Sequence, residues 1–330
     1  MKISKVLSVN ITVLLIMMSS AVFSQNSRPS EHGPHANLEQ GRLLGDLSTL
    51  DPRKKPSQNF DLQDWSLTLP TDINKDKKAD IIYEPALDKG FELKPFFYTG
   101  GDGGLVMACP NIGSTPSLNA KYSRTELREM LRRGNPRVKV SGVNKNNWVF
   151  GSAHGSMKRK AGGIDGSLEG TLAVNRVSTS GDEDMIGRVA IAQINATKHE
   201  PLRLYYRKLP GNSKGSVYFI HEVNGVLDAT VRLVGSKSNT LENPADGIEL
   251  NEKFSYKVSV ENEILYVTLI REGKKNITGS YNMSRSGYDG GDQFMYFKAG
   301  VYNQNNGGVK GDYAQATYYH LKNSHAGYKY

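Results

Sequence analysis

The chain has 330 residues, of which 38% are hydrophobic and 23% are charged, a balance that excludes an intrinsically disordered protein. Its formal net charge of +9 suits an acidic partner such as a polysaccharide or a nucleic acid, without choosing between them. The single cysteine, Cys109, excludes an intrachain disulfide, so the fold must depend on its core. The 34 glycines and 17 tyrosines, together with many short Val/Ile/Thr/Tyr runs, favour an all-β sandwich or barrel.

Residues 1–24 have the pattern of a signal peptide. Lys2 and Lys5 form a basic start, an apolar run follows, and small residues precede a cleavage point after Ser24. The apolar run is too short to span a membrane comfortably. We therefore expect a secreted or periplasmic protein with no membrane association after cleavage. Residues 25–55 are rich in Ser, Pro, Gly, His and Lys without a period, which predicts a flexible linker before one folded domain over 56–330.

Strand patterns dominate the folded part. Residues 65–70 (WSLTLP) alternate large apolar and polar side chains and end at a proline. Further strand-like runs lie at 146–150, 168–177, 186–195, 202–207, 216–223, 228–234, 254–260, 263–270, 294–304 and 313–321. Long helical patterns are scarce, so the runs predict a β-sandwich.

The segment 72–80 (DINKDKKAD) places oxygen ligands at every second position, as in a calcium loop. However, Lys77 stands where a calcium loop needs glycine, and Tyr83 stands where it needs a bidentate glutamate. A solvated turn is therefore the preferred interpretation.

The segment 123–133 (SRTELREMLRR) has helical propensity, because Leu127, Met130 and Leu131 fall at helical spacing. In a helix or in a strand, Arg124 and Arg128 share one face. Either structure places two guanidinium groups side by side, as a site for an anionic ligand would need. The alternative is a solvated, charged helix that has no binding function.

In the stretch 296–304 (YFKAGVYNQ), apolar and polar side chains alternate along the chain. Phe297, Ala299 and Val301 form an apolar face, whereas the opposite face carries a lysine, two tyrosines and a glutamine. Gly300 stands between the lysine and the second tyrosine, where the lack of a side chain would leave room for a ligand. Such a strand can line a groove for an anionic ligand, and an ordinary edge strand with a solvated face is the alternative.

Three segments taken together resemble the alginate lyases of polysaccharide lyase family 7. They are 124–128 (RTELR), 193–195 (QIN) and 296–304, and residues 65–70 are similar to the entry strand of that family. The resemblance covers most of 60–322. It implies a β-jelly roll of two antiparallel sheets with a substrate groove on the concave sheet, and it implies a strand at 124–128.

The resemblance also implies a reaction and a set of site residues. β-Elimination from a uronic acid polymer removes the proton at C5 and expels the oxygen at C4, so fixed donors must neutralise the adjacent carboxylate. Arginine suits that task because its fork matches a carboxylate. By the resemblance, the catalytic residues are Tyr302, Arg124, Gln193 and Asn195, and the substrate-binding residues are Glu126, Arg128, Lys298 and Gln304. Tyr302 would protonate the leaving oxygen, and it would also act as base if nearby cations lowered its pKa from about 10.

Asn195 departs from the family, which usually has histidine at that position. Asparagine cannot serve as a base. In mannuronate and glucuronate the C5 proton and the C4 oxygen lie on one side, so a single tyrosine can be both base and acid; guluronate needs a separate base. The sequence therefore predicts a preference for mannuronate. His199 in a following loop is a candidate replacement, and His154 and His221 are weaker ones.

The leading interpretation is a secreted lyase acting on alginate rich in mannuronate. A glucuronan-type lyase and a non-catalytic polyuronate-binding protein are the alternatives, and no nucleic-acid-binding motif is recognisable. The chemistry requires no metal or cofactor, and we expect a monomer. Gly162-Gly163 and the segment 178–187 are candidate lids over the groove.

Overall fold

Two β-sheets make up almost all of the regular structure. A computed structural model describes residues 31–117, 119–223 and 228–328, with the backbone alone for 31–38, and the predicted signal peptide lies outside these ranges. The first sheet contains β1 (Glu31–Gln40), β4 (Phe97–Thr99), β5 (Leu105–Pro110), β7 (Trp148–Val149), β8 (Gly163–Arg176), β14 (Lys253–Glu261), β15 (Ile264–Ile270), β16 (Lys275–Asn282) and β18 (Tyr313–Ala326). The second contains β2 (Trp65–Thr68), β3 (Ile81–Ile82), β6 (Arg124–Glu129), β9 (Arg188–Asn195), β10 (Leu202–Arg207), β11 (Lys214–Glu222), β12 (Asp228–Val234), β13 (Ile248–Glu249) and β17 (Tyr296–Asn303).

Neighbouring strands are antiparallel, apart from the short parallel pair of β7 and β8. The strand order is β1-β16-β15-β14-β8-β18-β5-β4 in the first sheet and β12-β11-β10-β9-β17-β6-β2-β3 in the second. The described helices are short: α1 (Pro56–Asn59), α2 (Glu84–Asp88), α3 (Gly155–Lys160) and one 3-10 turn (Leu47–Thr49). Within 31–117, 119–223 and 228–328, no helix has the length and apolar character needed to cross a membrane.

The core lies between the two sheets. Leu127, Ile194 and Phe297 of the second sheet join one buried cluster with residues of the first sheet such as Met107 and Leu172. Because side chains alternate along a strand, the polar residues of β6, β9 and β17 are left on the opposite face. We call this outward face of the second sheet the site face.

The all-β prediction is confirmed, and each of the predicted strand runs overlaps an observed strand. The segment 124–128 is a strand in spite of its helical propensity, because β2 and β17 pair with it on both sides and both contribute to the buried core. The strand β16 was not predicted, because its sequence KNITGSYN has neither alternation nor a strong apolar run.

The described part of 25–55 differs from the predicted linker. Strand β1 pairs with β16, so backbone hydrogen bonds hold a segment that lacks a hydrophobic period. Beyond it, the Leu44 amide donates to Ser255 Oγ at 2.9 Å, and Thr171 Oγ1 donates to the Leu44 carbonyl at 2.8 Å. The fold therefore begins before residue 56.

Candidate active site

Three neighbouring strands bring the predicted site residues together. Because β17 lies between β6 and β9, Lys298 is directly opposite Arg128 on one side and Gln193 on the other. Two residues along, Tyr302 is opposite Arg124. These residues lie far apart in sequence, and only strand pairing makes them neighbours on the site face.

A bulge in β17 shapes this centre. Pairing with β9 shifts between Ala299 and Tyr302, at Gly300, which has φ +149°. A Cβ on Gly300 would stand 2.6 Å from the Thr125 carbonyl oxygen. Gly300 therefore permits close approach of β6, and this contact, rather than room for a ligand, explains the glycine. Tyr318 of the first sheet fills the bulge: its hydroxyl accepts from the Gly300 amide at 3.0 Å.

Glu126 is the hub of the charged residues. Its Oε2 lies 2.9 Å from Lys298 Nζ and 3.4 Å from an Arg124 nitrogen, and the Gln193 side-chain amide donates to its Oε1. Burial raises the pKa of Glu126, but attraction to Lys298 and Arg124 outweighs burial and holds that pKa below its usual value. Burial also lowers the pKa of Lys298, to about 8, although Glu126 opposes the shift. Glu126 is thus an ionised, buried anchor for the cations of the site face.

Asn195 extends this network along β9. Its amide donates to Gln193 Oε1 at 3.4 Å, while Gln193 in turn donates to Glu126. One N–H of the Gln193 amide is therefore committed to the protein, which leaves the other for substrate. Asn195 is 7% exposed, opposite Tyr296, in the position that the sequence assigned to it.

Tyr302 lies between a cation and an aromatic ring. The Arg124 guanidinium stands 3.7 Å from the centre of its ring, and the ring of Tyr122 meets it edge-on at 6.3 Å between centroids. Burial raises the pKa of Tyr302, and the opposing effect of Arg124 is smaller. The condition under which Tyr302 would readily act as base, a pKa lowered by nearby cations, is therefore not met in the free protein, because the phenol is desolvated. Tyr302 therefore keeps its proton near neutral pH, as a general acid must.

Several buried donors on the site face have no protein partner. They are Arg124 Nε, Arg188 Nε, Arg203 Nε and Gln304 Nε2. A buried donor left unpaired costs about 1–3 kcal/mol, so these four groups carry hydrogen-bonding capacity that the protein itself does not satisfy. Arg188 and Arg203 were missed in the sequence. Alternation with the apolar residues of β9 and β10 was the available signal for them.

Arg128 and Gln304 have partners that fix their positions. Arg128 donates to the Val140 carbonyl at 3.0 Å and to Asn147 Oδ1 at 3.1 Å, and it stacks on the ring of Tyr296. Gln304 Oε1 accepts from the Tyr205 hydroxyl at 3.4 Å. Arg128 is thus a support for the sheet face, whereas Gln304 still has a donor to offer.

The candidate lids and histidines occupy different places. Met185 of the segment 178–187 accepts a hydrogen bond from Tyr122, so that segment borders the centre, whereas Gly163 begins β8 in the first sheet. His221 points to the core, where burial lowers its pKa to about 4. His154 caps α3. Only His199 lies in the loop that follows Asn195.

The acidic loop 72–80 is closed by its own backbone. The Asp76 and Lys77 amides donate to the Asp72 carboxylate at 2.9 and 3.1 Å, and the Ile73 amide donates to Asp80 at 3.0 Å. Across the described ranges, no group of three or more His, Cys, Asp or Glu side chains is arranged to hold a metal ion. This geometry matches the interpretation of a solvated turn.

Comparison with known proteins gives consistent matches along the chain. A family model described as alginate lyase matches residues 60–325. An alginate lyase from Klebsiella pneumoniae is 45% identical over 282 residues, which are 82% of this chain and 91% of the relative. The crystal structure of the alginate lyase from Klebsiella pneumoniae superposes with a TM-score of 0.82 at 44% identity, covering 84% of this chain and 100% of that one. A variant of the family 7 alginate lyase A1-II′, in complex with a substrate, has a TM-score of 0.59 at 25% identity, covering 84% and 98%.

Proposed function

Because this chain belongs to the alginate lyase family, polysaccharide lyase family 7, it is a polysaccharide lyase that acts on alginate, and we propose that it prefers mannuronate blocks. The two antiparallel sheets match the jelly roll of that family. The roles of single residues in the reaction belong to the same proposal.

One observation carries the assignment of roles: the Arg124 guanidinium stacks on Tyr302 at 3.7 Å from the ring centre, and the Arg124 side chain keeps 11% of its surface exposed. A uronate carboxylate placed there gains a charge-assisted hydrogen bond beside the phenol that must protonate the leaving oxygen. The free N–H of Gln193 and the amide of Asn195 supply further donors. Together they stabilise the negative charge that develops on the carboxylate when the C5 proton leaves.

Tyr302 is the acid in this mechanism. Its hydroxyl gives a proton to O4 as the C4–O4 bond breaks, and the double bond forms between C4 and C5. In mannuronate the phenolate form of Tyr302 can first take the C5 proton, because that proton lies on the same side as O4. Burial raises the pKa of Tyr302, so this form is a minority near neutral pH, and kcat on mannuronate should increase with pH.

Guluronate presents the C5 proton on the side opposite O4, where Tyr302 cannot serve as both base and acid. Asn195 cannot accept that proton, since an amide has no useful basicity. Mannuronate is therefore the preferred substrate in this proposal. Asn195→His should increase the rate on polyguluronate; an unchanged rate would contradict the proposed reason for the preference.

Ultraviolet absorbance is the direct test, because each elimination creates a double bond conjugated to a carboxylate. The purified protein should produce this absorbance faster on polymannuronate than on polyguluronate or glucuronan. Tyr302→Phe should lower kcat by about 100-fold or more while polymannuronate binding is largely kept. A faster reaction on guluronate would contradict the preference, and an active Tyr302→Phe variant would contradict the role of the phenol.

We also propose that the protein is exported. The support is the pattern of residues 1–24 and the size of the polymer that must be cleaved. N-terminal sequencing of the mature protein should begin at Gln25, and an intact Met1 on the active protein would contradict export by cleavage.

A further inference from the structure

A second charged cluster adjoins the active centre, at the loop between β9 and β10. Two hydrogen bonds join Glu200 and Glu222. The Glu200 backbone amide donates to the side-chain oxygen Glu222 Oε2 at 3.4 Å, and the Glu222 backbone amide donates to the Glu200 carbonyl at 3.3 Å. His199 Nδ1 lies 2.6 Å from Glu222 Oε1, and Arg203 lies 3.7 Å from Glu222 Oε2. The Glu222 carboxylate therefore has two cationic or donating partners of its own.

The loop places Glu200 beside Asn195. Strand β9 ends at Asn195, the Ala196 amide donates to the His199 carbonyl at 2.8 Å, and the chain then returns so that Arg203 is opposite Gln193. Glu200 thus stands at the end of β9 where the family's histidine is replaced by asparagine.

The Glu200 carboxylate interacts electrostatically with residues of the site face. Lys298 attracts it, and its charge adds to the effect of burial in raising the pKa of Tyr302. The strand register places Glu200 there, because Leu202 is opposite Ile194 and Arg203 is opposite Gln193, so that Glu200 lies just before the paired part of β10 at the end of β9. The charged and titratable groups that interact with it are Glu222, Arg203, Lys298, Arg124, Tyr302, Tyr296 and Tyr288.

The environment of Glu200 suits a proton acceptor. Burial raises its pKa first, and the neighbouring carboxyl of Glu222 raises it further, against the attraction of Arg203. A carboxylate with a raised pKa is a stronger base than an exposed one, and it is still ionised above that pKa. His199 contacts Glu222 rather than the site face, so it supports the pair instead of replacing the missing histidine.

We propose that Glu200 accepts the C5 proton of guluronate residues, as a slower substitute for the histidine that Asn195 replaces, so that polyguluronate is cleaved but less rapidly than polymannuronate; this inference rests on the proposed lyase function. The C5–H bond breaks and its proton passes to the Glu200 carboxylate. The electron pair forms the C4=C5 double bond, the C4–O4 bond breaks, and O4 takes the phenolic proton of Tyr302. Solvent then returns a proton to Tyr302 as Glu200 loses its own, so no other reactant is needed.

The test compares Glu200→Gln with the parent enzyme on two polymers. Glutamine keeps the shape but cannot accept a proton, so kcat on polyguluronate should fall by about 100-fold or more, with polymannuronate changed by less than about threefold. Glu261→Gln makes the same change of charge at an exposed end of β14 in the first sheet and should leave both rates unchanged. Thermal unfolding of each variant checks that the fold is retained.

A second variant keeps the test decisive. Asn195→His combined with Glu200→Gln should recover activity on polyguluronate, with the acidic limb of the pH profile moved toward the pKa of histidine, about 6.5. Equal losses on both polymers, no loss on polyguluronate, or a parent enzyme that cleaves only polymannuronate would each overturn the role of Glu200. A parent enzyme inactive on every alginate would instead contradict the proposed function.

Discussion

Replacing Glu126 by glutamine should destabilise the fold far more than the loss of a surface ion pair. The side chain of Glu126 is 1% exposed, and its carboxylate serves Lys298 at 2.9 Å and Arg124 at 3.4 Å. Removing one partner of a buried pair costs about 3–5 kcal/mol, because the remaining charge is left uncompensated. Part of this cost is avoided at Lys298, because a lysine can become neutral by losing its proton. Its pKa is already lowered to about 8 and would fall further without Glu126, so a larger fraction of Lys298 would be neutral at pH 7. We therefore expect the lower end, about 3 kcal/mol; the cost does not vanish, because Arg124 cannot lose its charge.

Thermal and denaturant unfolding at pH 7 measure this cost. For a domain of this size, about 3 kcal/mol corresponds to a fall in Tm of roughly 6 °C. Asp51→Asn makes the same acid-to-amide change at the 2.8 Å pair with Arg53, whose side chain is 88% exposed, and should leave Tm nearly unchanged. Glu126→Gln combined with Lys298→Met should recover part of the lost stability. A Glu126→Gln variant as stable as Asp51→Asn, or a double variant no better than the single one, would refute the idea of a buried anchor.

Two further predictions concern pH. The KM for polymannuronate should increase above about pH 8, because Lys298 loses its charge there while burial keeps the pKa of Tyr302 higher; Lys298→Gln should bind weakly at every pH and lack this increase. Burial lowers the pKa of His325, but attraction and a hydrogen bond to Glu129, 2.7 Å away, outweigh burial and raise that pKa overall. The stability that protonated His325 contributes should thus be fully present below about pH 6.5 and lost as pH rises through the raised pKa. Tm measured from pH 6 to 9 should show this decline in the parent and not in His325→Gln, and parallel curves would contradict it.

The sequence predicted those features that depend on alternation. In β17 apolar and polar residues alternate, and alternate residues of a strand lie on opposite faces. The sequence therefore predicted both the face that packs on the core and the site face. The strand at 124–128 needed the family resemblance, because local propensity favours a helix there and only pairing with β2 and β17 reverses it.

Other features depend on contacts that no local pattern encodes. Gly300 allows the backbone of β6 to approach closely, and its amide donates to the hydroxyl of Tyr318, a residue of the other sheet. The raised pKa of Tyr302 follows from burial, which alternation does not quantify, so the sequence left the direction of this pKa shift open. The segment 25–55 was predicted as a linker because the pairing of its strand β1 with β16 is a backbone interaction that leaves no hydrophobic period.

Asn195, where the family resemblance leads us to expect histidine, shows how these two kinds of information combine. The sequence alone shows that residue 195 cannot be the proton acceptor, because an amide cannot accept a proton. It does not show what stands beside that position, because Glu200 and Glu222 meet only when β10 and β11 pair behind the loop. A carboxyl pair on the same loop as the missing base offers basicity without altering the arginine and tyrosine that bind and protonate the sugar. Guluronate cleavage can therefore be tuned at Glu200 independently of mannuronate cleavage at Tyr302, and the two rates of the Glu200→Gln variant measure that independence directly.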